Sequence, residues 1–228
     1  MKILDHGYVE LVEYWGSDER IIEAARMSTN KGFKGWETDE KLLRYLYEHN
    51  HMTPFEMCGM VFEIKAPIFV FREWHRHRTQ SYNEMSARYI PLPDENYMPS
   101  VQRIAEGLNS AGVNKQAGAH AEVSLTNEQI QIFCSALDDF YHKAQSLYED
   151  GIRMGIPKEI ARLCVPVGRY SRMRAAANLR NWMQFLTLRL DHHAQWEIRQ
   201  YAQTINDQLG RCFPRTWKLF AGDRSLVR

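Results

Sequence analysis

The stretch from Thr126 to Tyr148 constrains the fold of this chain more than any other. Thr126-x-x-Gln129 is a capping box, in which the threonine hydroxyl accepts from the third helical N–H and the glutamine side chain returns to the cap. Behind it Ile130, Phe133, Leu137, Phe140, Tyr141, Ala144 and Tyr148 fall on one stripe of a long helix. The predicted helix buries that stripe in the core or in a contact between subunits.

The remaining pattern alternates short strands with helices. Residues 1–14 are strand material, with Ile3, Leu4, Tyr8, Val9, Leu11 and Val12, and Ser17 is placed to cap a helix through Ile21, Ile22, Ala24 and Ala25. A second helix is predicted from about Thr38, carrying Leu42, Leu43, Leu46 and Tyr47. Thr53-Pro54-Phe55-Glu56 has the form of another capping box, with proline at the first helical position. Met60 to Lys65 alternates like a half-buried strand, and Pro67 opens a helix predicted from Ile68 to about His77. Residues 78–100 read as a loop with at most a short strand, and 107–125, rich in Gly, Ala, Asn and Ser, as a flexible insertion. Pro157 opens a short helix holding Arg162. Arg169, Arg172 and Arg174 lie in strand-like sequence, and helices are predicted from Asn178 to about Asp191 and from about His193 to Arg211. The expectation is an α+β fold, a mixed sheet packed with long helices, in a single domain over residues 1–228.

Charge limits the partners. The formal net charge is +1 over 228 residues, without the basic excess usual in proteins that hold long nucleic acid, so a small anionic ligand fits better. Cys58, Cys134, Cys164 and Cys212 are far apart and form no CxxC, which points to free thiols in a reducing compartment. No apolar run approaches membrane-spanning length. These features make a cytoplasmic enzyme the default, with no membrane partner.

The chemistry concentrates between Arg72 and Tyr89. Arg72, Arg76, Arg78 and Arg88 stand there with His75 and His77, against only Glu73 and Glu84, and without a lysine. Guanidinium forks suit phosphate and polarised carbonyl oxygens, and massed together they repel unless an anion lies between them. The alternative is a solvated helix face with surface ion pairs. Thr53 reads as a cap or as a ligand contact at a helix start, and Asn178 equally as a cap or a contact. Ser86 lacks a nucleophile elbow and suits hydrogen bonding to a ligand better than attack. Arg180 and Arg189, nine residues apart, point to different faces of their helix. The histidine pairs 49/51, 75/77 and 192/193 lack the spacing of a metal site, and no metal is assigned.

Arg76-His77-Arg78, seven intervening residues and Ser86 resemble the R-H-R-x7-S signature of flavin-dependent thymidylate synthases. The likeness extends through His51-x-Thr53-Pro54-Phe55-Glu56, Ala66 to Val70, Ala161-Arg162, Asn178-x-Arg180 and the segment Leu188 to Ile198. It spans nearly the whole chain in the same order, with 107–125 least alike.

The resemblance implies a homotetramer with active sites shared between subunits. It implies FAD as cofactor, dUMP as substrate, methylenetetrahydrofolate as carbon donor and NADPH as reductant. By position it places Thr53, Arg76, His77, Arg78, Glu84, Asn178, Leu179, Arg180 and Gln184 at the flavin. Glu73, Trp74, His75, Arg76, Glu84, Met85, Ser86, Ala87, Arg88, Arg162 and Arg189 fall to dUMP, with Arg189 as the catalytic group. Two residues depart from the usual pattern: Glu73 stands where many relatives have Gln, and Gln184 where some have Asn. Two other classes compete on the residues alone: a nucleotide- or RNA-binding module, which the near-zero net charge disfavours, and a metal phosphohydrolase, which the missing ligand spacing disfavours.

Overall fold

The computed structural model describes residues 2–109 and 125–225. Along the chain run β1 (Lys2–Ile3), β2 (Gly7–Trp15), α1 (Asp18–Arg26), α2 (Trp36–Glu48), β3 (Gly59–Pro67), α3 (Ile68–Trp74) and β4 (Ser81–Glu84). These are followed by α4 (Val101–Asn109), α5 (Asn127–Arg153), α6 (Lys158–Ala161), β5 (Tyr170–Asn178), α7 (Leu179–Arg189), α8 (Trp196–Cys212) and α9 (Pro214–Ser225). The five strands form one sheet in the order β1-β2-β3-β5-β4.

β3 is the centre because its residues alternate without a break. Met60, Phe62, Ile64 and Ala66 are fully buried on one face, while Val61, Glu63 and Lys65 are half-buried on the other. It pairs with β5 over nine positions, from Gly59 opposite Asn178 to Pro67 opposite Tyr170. That register puts Met173, Ala175 and Ala177 on the buried face and Arg172 and Arg174 on the polar one. The α+β expectation holds, with one correction: the sheet, expected to be mixed, is antiparallel at every pairing among the described residues.

Helices α3, α7 and α8 cover the apolar face. Trp74 lies against Phe185 with ring centroids 4.7 Å apart, and Trp182 meets Phe62 edge-on at 5.1 Å. The Trp182 Nε1–H donates to the Met60 carbonyl at 2.9 Å, satisfying the polar atom of a fully buried ring. α9, which the periodicity did not reveal, is anchored through its start. The buried Asp18 carboxylate accepts from the Arg215 N–H (2.8 Å), the Thr216 N–H (3.1 Å) and the Thr216 hydroxyl (2.6 Å).

The capping box of α5 forms in both directions, at 2.9 and 3.2 Å. Its stripe divides: Ile130, Tyr141, Ala144 and Tyr148 are buried, whereas Phe133 and Phe140 are more than half exposed beside Ile132 and Leu147. The box expected at Thr53 does not form. Thr53–Met57 is a single tight 3-10 turn with Met52 at its cap and no side-chain cap bond, and Glu56 is drawn off to Arg180 at 2.5 Å. The helix expected to reach His77 stops at Trp74, because the Tyr82 hydroxyl lies at the Trp74 and His77 carbonyls (3.1 and 2.7 Å) and the chain turns. Of the expected insertion, 107–109 close α4 and 125–126 precede α5, while 110–124 lie outside the described residues. No described helix is long and apolar enough to cross a membrane.

Candidate functional site

Two arginine-bearing sets lie on opposite sides of α3. At 100° per residue, Ile68, Phe71, Arg72 and the following His75 share one side, and Glu73 takes the other.

The first set lines a cavity of about 460 Å³. Phe71, Arg72 and His75 form one wall. β4 and the turn after it contribute Glu84, Met85, Ser86 and Ala87, and the segment after α6 brings Arg162, Val165 and Val167. Glu84 reaches the cavity because it pairs with Met173, placing it on the apolar face of the sheet. The Ser86 turn is tied to α6 by Arg88–Glu159 (3.1 Å) and by Lys158 Nζ donating to the Tyr89 carbonyl (2.7 Å). Arg72 and Arg162 form no ion pair among the described residues, and with Glu84 as the one carboxylate in the lining the cavity carries an excess of positive charge. Ser171 lies in the floor, 1% exposed, and its hydroxyl has no partner among the described residues.

The second set surrounds Arg189 at the end of α7. Its Nε donates to His77 Nε2 at 2.8 Å, its Nη1 to Glu73 Oε2 at 2.9 Å, and its Nη2 to the Glu73 carbonyl at 2.9 Å. His77 is 9% exposed. Burial first, and the adjacent Arg189 charge second, push its pKa down to about 4. The imidazole is therefore neutral near pH 7, and Nε2 carries the lone pair that Arg189 needs.

A third group lies near the start of α7. Arg76 and Arg78 are exposed and without an ion pair among the described residues. Thr79 is bound through its carbonyl to Asn181 Nδ2 at 3.1 Å, and Asn178 caps α7 by accepting from the Asn181 N–H at 2.9 Å. Arg180 pairs with Glu56, while Gln184 is exposed one turn further on. Arg180 and Arg189 thus face different groups, as their spacing predicted.

One cavity therefore gathers His75, Glu84, Met85, Ser86, Ala87 and Arg162. Arg88 is outside its lining, exposed and paired with Glu159, and Arg189 and Glu73 lie on the far side of α3. The acid at position 73 turns to an arginine. Trp74 and Leu179 are core side chains, 0% exposed, and Trp74 donates to Gln80 at 3.1 Å. The family resemblance assigned no ligand role to Arg72, although it stood in the arginine cluster that called for an anion. Nothing in the sequence marked Ser171.

The other clusters suit this chemistry less. A smaller cavity of about 230 Å³ is lined by Asp5, Asp94, Glu95 and Asp138, the wrong sign for a phosphate. Asp191, His192 and His193 come together at an exposed turn, where Asp191 Oδ1 accepts from both the N–H and the ring of His193 at 2.8 Å. Burial pushes the Cys58 thiol up to about 11. It also raises Cys212, outweighing the lowering expected from Arg211.

The chain is similar to known proteins over most of its length. The profile of the family described as Thymidylate synthase complementing protein matches residues 10–215. The flavin-dependent thymidylate synthase of Wolbachia pipientis wMel is 41% identical over 219 residues, covering 96% of this chain and 75% of the relative. That of Thermosipho africanus is 39% identical over 219 residues, covering 96% and 92%. Among solved structures, the UMP/dUMP methylase PolB from Streptomyces cacaoi bound with 5-Br dUMP superposes with a TM-score of 0.83 at 32% identity, covering 97% of each chain. The same methylase bound with 5-Br UMP gives 0.80 at 33% identity, covering 95% and 94%.

Proposed function

This chain belongs to the flavin-dependent thymidylate synthase family, and on that footing we propose that it converts dUMP to dTMP with methylenetetrahydrofolate as carbon donor and NADPH-reduced FAD as hydride source. The observation that carries this reading is the pair of guanidinium groups, Arg72 and Arg162, that border one cavity with Ser86 and outnumber its single carboxylate, Glu84. A nucleotide phosphate supplies the charge that the cavity lacks. The structural neighbours, described as bound with 5-Br dUMP or 5-Br UMP, support a pyrimidine nucleotide as occupant.

The residues fit a flavin. Arg76 and Arg78, exposed and without an ion pair among the described residues, suit its diphosphate. By the family resemblance Thr53, His77, Glu84, Asn178, Arg180 and Gln184 would join them in holding the flavin. Bound FAD supplies the redox chemistry that no side chain can perform. The remaining work falls to the chain's own groups. Ser86, Arg88 and Arg162 hold and orient the phosphate. Uracil C5 is a poor nucleophile, and Arg189, set beside the pyrimidine, stabilises the negative charge that builds over N3, O2 and O4 as C5 attacks. Neutral His77 keeps that guanidinium in place.

We place these sets together by assembling four chains. Within one chain α3 separates Arg189 from the Arg162 cavity, and α5 exposes an apolar row of Ile132, Phe133, Phe140 and Leu147. A shared-site homotetramer accounts for both. A cytoplasmic location accords with four unpaired cysteines.

The test is direct. The purified protein is yellow or takes up added FAD, oxidises NADPH only when dUMP is present, and forms dTMP with methylenetetrahydrofolate. A protein that binds no flavin and makes no dTMP refutes the reading.

A further inference from the structure

Arg189 keeps every guanidinium nitrogen on an acceptor of its own chain, and Glu73 supplies two of the three, one through its carboxylate and one through its carbonyl. We propose that Glu73 is a positioning residue for Arg189, fixing the plane of the guanidinium and balancing its charge, so that a pyrimidine nucleotide meets a neutralised pair instead of a bare cation. The inference rests on the reading of Arg189 as the group that meets the pyrimidine.

The three acceptors differ in how firmly they are built in. The Glu73 carbonyl belongs to the last turn of α3, where it also accepts from the Arg76 N–H at 3.4 Å. His77 is buried and packed edge-on against Phe185 at 4.8 Å. The Glu73 carboxylate is the exchangeable one, with its side chain 43% exposed against 15% for Arg189. A guanidinium has five N–H donors, so one remains on each terminal nitrogen for a ligand. His77 and the Glu73 carbonyl fix Nε and Nη2, and the Glu73 carboxylate fixes Nη1 and offsets the charge of the fork. An incoming pyrimidine carries negative character to the same cation, and the carboxylate opposes it.

Substitution separates direction from charge. Glu73→Gln keeps an oxygen for Nη1 and removes the charge, whereas Glu73→Ala removes both. Both variants are prepared as full-length holoenzyme and compared with wild type for dUMP affinity by equilibrium titration and for kcat and KM. Glu73→Gln is expected to bind dUMP about tenfold more tightly with kcat within about threefold of wild type, the size of one partly screened charge interaction. Glu73→Ala is expected to lose about a hundredfold in kcat while its melting temperature stays near that of wild type. A purely structural role lowers stability without splitting affinity from turnover. Glu73→Gln binding dUMP as wild type does, or more weakly, overturns the proposal. If wild type makes dTMP and Arg189→Ala abolishes it while both Glu73 variants behave as wild type, the Glu73 proposal alone falls. If wild type makes no dTMP, the functional reading falls and this inference with it.

Discussion

The burial of His77, with the Arg189 charge beside it, makes stability depend on pH in a window that can be worked out. His77 has a folded pKa of about 4 against an ordinary value of 6.5, so the unfolded chain binds this proton first. The contribution is therefore fully present above about pH 6.5 and is lost as pH falls towards 4. With these two values the loss is about 2 kcal/mol between pH 7 and 5 and about 3 kcal/mol by pH 4. Carboxylates titrate over the same range, so the quantity to measure is a difference between proteins. His77→Gln keeps an acceptor for Arg189 Nε and has no proton to gain. Urea unfolding of both at pH 7 and pH 5 isolates the histidine, and wild type should lose about 2 kcal/mol more than the variant. Equal losses would mean that His77 is not held neutral by its surroundings, and the derived role of Nε2 as a permanent acceptor would fail.

Other expectations follow from particular contacts. Arg162→Ala removes one of the two guanidinium groups that line the cavity and should raise KM for dUMP at least about tenfold in steady-state assays, leaving the melting temperature within a few degrees. Asp18→Ala strands three donors at the start of α9 and should cost about 2 kcal/mol in chemical denaturation. Phe133→Glu combined with Phe140→Glu puts charge on the exposed row of α5. Sedimentation should then show a smaller particle than wild type, and an unchanged mass would remove that row from the assembly interface.

What the sequence disclosed was mostly local. The Thr126 box, the Asn178 cap and the alternation of β3 are each set within a few residues, and each appears where expected. The Thr53 box failed for a reason outside its own window, since Glu56 has a partner 124 positions away in Arg180. The R-H-R run and Ser86 were visible as composition, yet their separation across α3 was not, because it depends on where α7 delivers Arg189. Arg189 meets His77 and Glu73 over gaps of 112 and 116 residues, and no periodicity encodes such a meeting. Ser171 lacked any signal, being one small residue on the buried face of a strand.

The Asp18 carboxylate has an implication for how the molecule comes into being. Its partners at Thr216 are 198 positions downstream. During synthesis the leading helix emerges with an acid destined for the interior and no donors yet made to receive it. Closure of that corner therefore waits until α9 has been made, and loop-closure entropy over 198 positions is met at that step. A nascent fragment halted before residue 214 should remain open at that corner, prone to capture by chaperones until the missing donors arrive.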